Sequence, residues 1–309
     1  MQKVTRRYFL GNTVFAAALM PVISPVLAME PIVRRGAPRM VLSLAAYSFR
    51  QYFKTGIRPP QGVAAERMID LFQFIDYCAE QGCDATELTS YYFPADVDDA
   101  YLLRIRRHAF LRGIPISGTA VGNTFTLPPG EKRDQEIENV KRWVDRAALM
   151  GAPHIRIFAG NRQDGRSLEQ AKAICVETIK ACCDYAAGKG VFLGLENHGG
   201  IVAEPDDLLD IVRAVESSWF GINLDTGNFH TPDPYADLAL CAPYAVNVQV
   251  KVEIQRRGAR KEPADLDRVI GILRDSRYQG YVALEYEAEE DPWVAVPPLL
   301  RRLKALMAG

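Results

Sequence analysis

The sequence predicts an α/β fold of the (β/α)8 TIM-barrel class. From Met40 onward, short apolar segments alternate with longer helical segments. Eight such pairs in about 270 residues match the usual size of this barrel. No linker rich in Pro, Gly or Ser divides the series, so residues 29–309 are predicted to form one domain. A doubly wound open sheet is the second choice, because no Gly-rich phosphate loop follows the first strand.

The strands and helices of this alternation can be placed along the chain. Helical segments include Ala64–Gln81, Arg133–Met150, Leu168–Ala187 and Ala264–Asp275, and a last helix, Trp293–Ala308, closes the chain. The eight predicted strands are Val41–Phe49, Ala85–Tyr91, Pro115–Val121, His154–Gly160, Phe192–His198, Phe220–Gly227, Ala245–Val252 and Tyr281–Glu287.

The N-terminus is predicted to be an export signal of residues 1–28. Arg6 and Arg7 precede a stretch without charged residues that runs from Tyr8 to Met29. This pattern resembles a twin-arginine signal, which implies export of a folded protein, for example to the periplasm, and a mature chain starting near Met29. The alternative is a membrane anchor that is not cleaved.

Composition excludes several classes of protein. With 37 basic and 38 acidic residues the net charge is -1, which argues against a nucleic-acid-binding surface. After the N-terminus no uncharged apolar run approaches the ~18 residues of a membrane span. The six cysteines form no C-x-x-C pair, and Cys78, Cys175, Cys182 and Cys183 lie in helical segments, where buried free thiols are common. The sequence is compatible with a homo-oligomer.

Polar residues alternate with valines in the seventh predicted strand. Because side chains alternate across a strand, the valines should face the outer helices while Asn247, Gln249, Lys251 and Glu253 face the barrel interior. The same alternation turns inward Arg156 and Glu87, Glu196 and His198, Asn223 and Asp225, and Glu285 and Glu287.

Charges inside a barrel cost several kcal/mol each unless something compensates them. Glu196, Asp225 and Glu285 lie near the C-terminal ends of their strands, where barrel active sites form. Three carboxylates with one amide oxygen suit a hard divalent cation, Mn²⁺ or Mg²⁺ rather than Zn²⁺. The alternative is a buried ion-pair network in which Arg156 and Lys251 neutralise the acids.

Four strand-end motifs together resemble the xylose isomerase-like TIM-barrel superfamily, often called sugar phosphate isomerases/epimerases. The motifs are Glu196–Gly200, Asn223–Asn228, Val248–Lys251 and Ala283–Glu285, and the resemblance covers essentially the whole predicted mature chain. It implies a single divalent ion bound by four strand-end side chains. It also implies proton abstraction next to a carbonyl, in which the two ligand glutamates act as the acid/base pair.

Carried over to this sequence, the implied metal ligands are Glu196, Asp225, Gln249 and Glu285, and the implied acid/base pair is Glu196 and Glu285. Gln249 departs from the ketose epimerases, which commonly have His there, and resembles members that dehydrate cyclic keto-acids or inososes. The chain also has Asn228 where epimerases place a histidine.

Further inward residues are predicted to bind substrate, and each has a structural alternative. Lys251 could instead form a salt bridge to Glu253 or Glu285, and Arg156 could pair with Glu87. For His198 the alternative is a hydrogen bond that only positions its ring. The predicted substrate-binding residues are His198, Lys251, Arg156, Glu87 and Asn228.

The sequence therefore predicts a metal-dependent sugar isomerase or epimerase that acts on a keto-sugar, a sugar derivative or a cyclic polyol. A lyase or dehydratase using the same enolate is the first alternative, and a non-catalytic sugar-binding barrel is the second. Endonuclease IV, a zinc-dependent relative, is excluded because four histidines are too few; His108 and His154 are predicted to be structural. The basic loop 256–261 is predicted to be solvated, and the alternative is that it binds a phosphate or an acid group.

Overall fold

Eight parallel strands close into a barrel in a computed structural model that describes residues 29–56 and 62–309. The order around the barrel is first, tenth, seventh, sixth, fifth, fourth, third and second strand, so the chain winds once around. The eighth and ninth strands pair separately as an antiparallel hairpin. In chain order the strands are β1 (Arg39–Ala45), β2 (Ala85–Glu87), β3 (Ile116–Ala120), β4 (His154–Ile157), β5 (Phe192–Glu196), β6 (Phe220–Asp225), β7 (Ala245–Val250), β8 (Glu253–Gln255), β9 (Lys261–Pro263) and β10 (Gln279–Leu284).

Helices surround the barrel and complete the predicted TIM-barrel architecture. Two of them begin with a capping box, in which Asp70 pairs with Gln73 and Ser167 pairs with Gln170, so orphan backbone N–H groups at each start are satisfied. The helices are α1 (Leu71–Glu80), α2 (Asp99–Leu111), α3 (Glu131–Met150), α4 (Leu168–Lys189), α5 (Pro205–Val215), α6 (Pro234–Cys241), α7 (Leu266–Asp275) and α8 (Pro292–Ala308).

The predicted elements are present, but most of the strands end earlier than predicted. Strand β1 ends at Ala45 and is followed by a 3-10 turn, Ala46–Phe49, and β7 ends at Val250 rather than Val252. The chain leaves the sheet at these points to form the loops at the barrel mouth. The segment predicted as one helix from Ala64 contains a short 3-10 helix, Ala65–Arg67, and becomes α-helical only at Leu71, where Asp70 caps the start.

The predicted alternation is confirmed within β7, but the predicted inward position of Glu253 is wrong, because β7 ends at Val250 and Glu253 belongs to the separate β8–β9 hairpin. Val248 and Val250 are completely buried on the outer face, while Asn247 and Gln249 bond to other inward side chains. All six cysteines are buried free thiols, as predicted. The described residues include no helix of the length and apolar character needed to cross a membrane. The predicted signal in residues 1–28 lies outside the described residues and stays a prediction.

Asn197 joins the C-terminal ends of β5 and β6. Its side-chain amide donates to the carbonyl oxygen of Asp225 at 2.9 Å, and its side-chain oxygen accepts from the N–H of Asp225 at 2.8 Å. Both residues are fully buried. This pair of bonds fixes the backbone at Asp225 and therefore the direction in which its carboxylate leaves the strand.

Replacing Asn197 by Ala should destabilise the fold by about 2–4 kcal/mol, because two buried backbone groups of Asp225 lose their partners. Urea unfolding measures this loss. Asn139→Ala is the control, since that amide makes one bond of 3.4 Å on the exposed side of α3, and its effect should stay within about 0.5 kcal/mol. Equal effects of the two variants would contradict the assigned role.

His154 lies inside the lower part of the barrel as a buried structural residue, as predicted. Neither ring nitrogen has a hydrogen-bond partner, and the ring fits between Gly118 and Gly194, where an added Cβ would come within 2.9 Å and 2.4 Å of it. Burial, together with the nearby Arg156 charge, lowers the pKa of His154 to about 3. The folded protein therefore holds this histidine neutral.

This histidine should make the protein acid-sensitive. Below pH 6.5 the unfolded chain protonates His154 while the folded chain does not, so stability falls as the pH falls toward 3. From pH 7 to pH 5 the loss due to His154 should be about 2 kcal/mol. Urea unfolding at pH 7 and pH 5 measures this loss. Between the two pH values, the free energy of unfolding should fall by about 2 kcal/mol less in His154→Leu than in wild type. The exposed His230, changed to Gln, is the control, and a His154→Leu profile that matches it would contradict this prediction.

Candidate active site

Acidic side chains meet at the C-terminal mouth of the barrel. Glu196 is the last residue of β5, Asp225 is the last residue of β6, and Glu285 follows β10. None of the three is more than 6% exposed. Because the carboxyl ends of parallel strands lie at one end of a barrel, the fold brings together carboxylates that are far apart in sequence, as predicted.

The ammonium group of Lys251 lies among these carboxylates. Its Nζ is 2.6 Å from Glu285 Oε2 and 3.3 Å from Asp225 Oδ2, and it also bonds to the carboxylate of Glu287. Of the two structural alternatives for Lys251, the bridge to Glu285 is therefore formed. Burial alone would lower the pKa of Lys251, but Asp225 and Glu285 outweigh it and raise that pKa well above its ordinary value.

Arg156 neutralises the carboxylate on the opposite side of the mouth. Its Nε is 2.8 Å from Glu196 Oε2, and one of its terminal nitrogens donates to the carbonyl oxygen of Val121 at 2.9 Å. The guanidinium lies over the ring of Phe158, 3.8 Å from its centroid. Asn228 donates to the other oxygen of Glu196 at 2.9 Å. Arg156 thus pairs with Glu196, and the alternative pairing with Glu87 is not formed.

Gln249 belongs to a polar network below these charges. Its amide nitrogen donates to Glu87 Oε1 at 2.7 Å, and its amide oxygen accepts from Asn223 at 2.7 Å. Asn247 donates to Asn223 and to Glu87. Both the nitrogen and the oxygen of the Gln249 amide are therefore hydrogen-bonded within the protein. The carboxylate of Glu87 accepts from the amide nitrogen and so fixes the orientation of the amide. The predicted ligand Gln249 and the predicted substrate contact Glu87 lie together, buried beneath the mouth.

Burial controls the protonation of this cluster. It raises the pKa of Glu196 and of Glu87 to about 7, although Arg156 opposes the shift at Glu196. It raises the pKa of Asp225 to about 8, with Lys251 opposing. The loss of hydration on burial therefore outweighs the stabilisation of the charged forms by Arg156 and Lys251. Carboxyl groups with such values suit proton transfer near neutral pH.

A divalent cation matches the chemistry of this site, although the side chains as placed do not form its coordination shell. Within residues 29–56 and 62–309, no group of three or more His, Cys, Asp or Glu side chains is arranged to bind a metal ion. The carboxylates turn toward Lys251 and Arg156 instead. Yet buried Asp225 Oδ2 accepts no hydrogen bond and has only the ion pair with Lys251 at 3.3 Å, and carboxylate oxygens are the donors that Mn²⁺ and Mg²⁺ prefer.

The mouth of the barrel carries the remaining predicted residues. His198 is exposed at the rim and packs against Phe158, with ring centroids 4.6 Å apart. A small cavity of about 170 Å³ opens beside Lys251, with Asn228 and Glu287 in its wall. The basic segment 256–261 connects β8 and β9 at the edge of the mouth, and most of it is exposed, as predicted.

Two residues of the site received no role in the sequence analysis. Phe158 supports the Arg156 guanidinium, and Glu287 binds Lys251. Glu287 was predicted to face inward, and Phe158 lies two positions beyond the inward Arg156, so the period-two alternation contained the signal for both. Phe158 was missed because an apolar residue after a buried strand gives no chemical reason to single it out.

Comparison with known proteins agrees with this architecture. A search of curated proteins finds no match to the sequence. A 3-keto-D-glucoside 4-epimerase from E. coli is similar in structure, with TM-score 0.64, 17% identity, and coverage of 86% of this chain and 100% of that one. A D-psicose 3-epimerase from Clostridium cellulolyticum has TM-score 0.66 and 16% identity over 87% and 97%.

A third similar structure, the IolI protein, contains a bound zinc atom and has TM-score 0.69 with 17% identity over 87% of this chain and 97% of that chain. At these identities the likeness establishes the fold. The family model described as xylose isomerase-like TIM barrel matches residues 75–305, which is most of the chain and includes the ends of all the barrel strands that carry the acids. The chain therefore belongs to the xylose isomerase-like TIM-barrel family, as its strand-end motifs predicted.

Proposed function

We propose that this protein is a sugar isomerase or epimerase that removes a proton next to a carbonyl group. The substrate is a keto-sugar, a sugar derivative or a cyclic polyol. One observation carries the proposal: Glu196 and Glu285 are buried at the barrel mouth beside Asp225, with two cations among them. Family membership and the sugar epimerases among the similar structures support it.

In this mechanism Glu196 and Glu285 are the acid/base pair. One carboxylate takes the proton from the carbon beside the carbonyl, and the electron pair moves onto the carbonyl oxygen to give an enediolate. The other group returns a proton to the same carbon or to its neighbour. Arg156 and Asn228 hold Glu196 in place, since each bonds to a different oxygen of its carboxylate.

Negative charge that develops on the substrate oxygen needs a positive partner. Lys251 would donate to that oxygen, because its ammonium is the positive charge in contact with Asp225 and Glu285. His198, which packs against Phe158 at the rim, would contact a substrate hydroxyl. Glu87 acts through Gln249, whose amide it orients, rather than on the substrate.

The predicted metal is part of this proposal. Glu196, Asp225 and Glu285 would hold Mn²⁺ or Mg²⁺. Gln249, the fourth ligand of the predicted set, would join them through its amide oxygen, which in this structure accepts from Asn223. A bound ion would act as a Lewis acid that polarises the substrate carbonyl. Export through a twin-arginine signal, which would place the enzyme outside the cytoplasm, also belongs to the proposal.

A lyase or dehydratase is the second candidate, and Gln249 favours it. The strand-seven position holds an amide that is bonded to Asn223 and Glu87, where ketose epimerases commonly have His. The same enolate would then expel a β-hydroxyl or a glycosidic oxygen instead of accepting a proton.

Incubation of candidate keto-sugars in deuterated water with Mn²⁺ tests the proposed reaction by mass spectrometry. Isomerisation or epimerisation should leave the substrate mass unchanged apart from incorporated deuterium, whereas elimination loses water or an aglycone. Glu285→Gln should slow deuterium incorporation by about 10²–10⁴-fold, because the variant lacks a proton-transferring carboxylate.

Glu262→Gln is the matched control for this experiment. Glu262 lies on β9 at the edge of the mouth and pairs with Arg256, so the same substitution there should leave the exchange rate unchanged. If wild-type protein exchanges no proton on any keto-sugar, or if Glu285→Gln exchanges as fast as wild type, the proposed function is wrong.

A further inference from the structure

The ammonium of Lys251 lies at the point on which two of the predicted metal ligands converge. Its Nζ contacts Asp225 Oδ2 and Glu285 Oε2, the oxygens that a divalent ion would need. We infer that Lys251 and a divalent cation compete for these oxygens, so that an ion binds only when the lysine head moves away. This inference rests on the metal site of the proposed function.

Simultaneous occupation is unfavourable for geometric and electrostatic reasons. Mg²⁺ binds oxygen at about 2.0–2.1 Å, and an ammonium 2.6 Å from Glu285 Oε2 uses the same lone pairs. The two positive centres would lie within about 4 Å of each other in a buried site, where like charges repel strongly. One of them has to leave the shared oxygens.

The structure shows where the lysine head can go. Nζ already bonds to Glu287, whose side chain is 35% exposed and lies farther out than Asp225 and Glu285. Rotation about the outer bonds of the lysine would keep the Glu287 contact and release the two buried carboxylates. The ammonium would then remain paired after the exchange.

The base of the Lys251 side chain is held in place, which limits this motion to the outer bonds. Gly227 packs so closely on it that an added Cβ would lie 2.7 Å from both Cβ and Cγ of Lys251. The backbone N–H of Lys251 donates to Thr226 Oγ1 at 2.9 Å. The base of the Lys251 side chain therefore stays fixed beside the site, whether its ammonium contacts the two carboxylates or has moved away from them.

Calorimetric titration of Mn²⁺ into metal-free full-length protein tests the competition without any turnover. Lys251→Met should bind Mn²⁺ at least 10-fold more tightly than wild type, because no ammonium has to be displaced. Lys261→Met is the control, because it removes the same charge from the same end of the barrel. The Lys261 side chain is exposed, and its Nζ makes a long ion pair of 3.7 Å with Glu253. Its affinity for Mn²⁺ should stay within about 3-fold of wild type, as expected for a screened surface charge.

Equal or weaker Mn²⁺ binding by Lys251→Met, or no binding by any of the three proteins, would overturn the inference. Thermal unfolding provides a second measurement, since removal of the lysine leaves buried acids unpaired. Without metal, Lys251→Met and Lys251→Gln should melt at lower temperature than wild type, and Mn²⁺ should raise their melting temperatures more than that of wild type.

If a variant does not fold without metal, refolding driven by Mn²⁺ supports the competition, and failure of Mn²⁺ to refold both variants contradicts it. These measurements follow binding and folding alone. If no deuterium is incorporated, the proposed reaction is wrong, but the competition between Lys251 and the cation is still testable. If the titration gives the contradicting result, the competition is wrong, but the proposed reaction is still testable.

Discussion

The site depends on one constraint, which is that several carboxylates are buried away from solvent. Each ionised carboxylate removed from water costs several kcal/mol unless positive charge or hydrogen bonds compensate it. Four carboxylates of the site are at most 6% exposed: Glu87, Glu196, Asp225 and Glu285. Arg156, Lys251 and a set of side-chain amides bond to them and compensate part of this cost. These partners do not remove the cost of burial, which raises the pKa values of Glu87, Glu196 and Asp225. A cation bound to these oxygens would lower that cost, and carboxyl groups with raised pKa values suit proton transfer near neutral pH.

The barrel supplies the rigidity that such a cluster needs. Parallel strands fix the acids at one end, Asn197 fixes the backbone at Asp225, and the amides of Asn223, Asn247 and Gln249 fill the space beneath. The barrel interior is therefore divided along the strand axis. Neutral amide side chains pack below, and the charged side chains of the site lie above them at the mouth.

The sequence was sufficient for the fold and for the inward residues within the strands, because both follow from periodicity. It failed at Glu253, because the strand ends at Val250 and the alternation ends with it. Alternating valines in β7 predict which side chains face inward, and the strand-end acids predict the mouth. The choice of partners could not be predicted. Arg156 is separated from Glu196 and from Glu87 by many residues, and only three-dimensional distances decide that it pairs with Glu196.

The orientation of Gln249 was equally out of reach. Its amide is fixed by Glu87, 162 positions earlier in the chain, so no local pattern indicates that both of its ends are engaged. The position of Lys251 just beyond the end of β7 likewise became meaningful only once the distances to Asp225 and Glu285 were known. Periodicity predicts the face on which a side chain lies, whereas bonding depends on side-chain rotamers.

A crystal structure of the protein grown with Mn²⁺, with anomalous data collected at the manganese edge, would test the central claim most directly. The buried acids are expected to bind one manganese at Asp225 and Glu285, with the head of Lys251 withdrawn toward Glu287. Lys251 still bonded to both acids, with no anomalous peak at the barrel mouth, would contradict the claim that these carboxylates form a cation site.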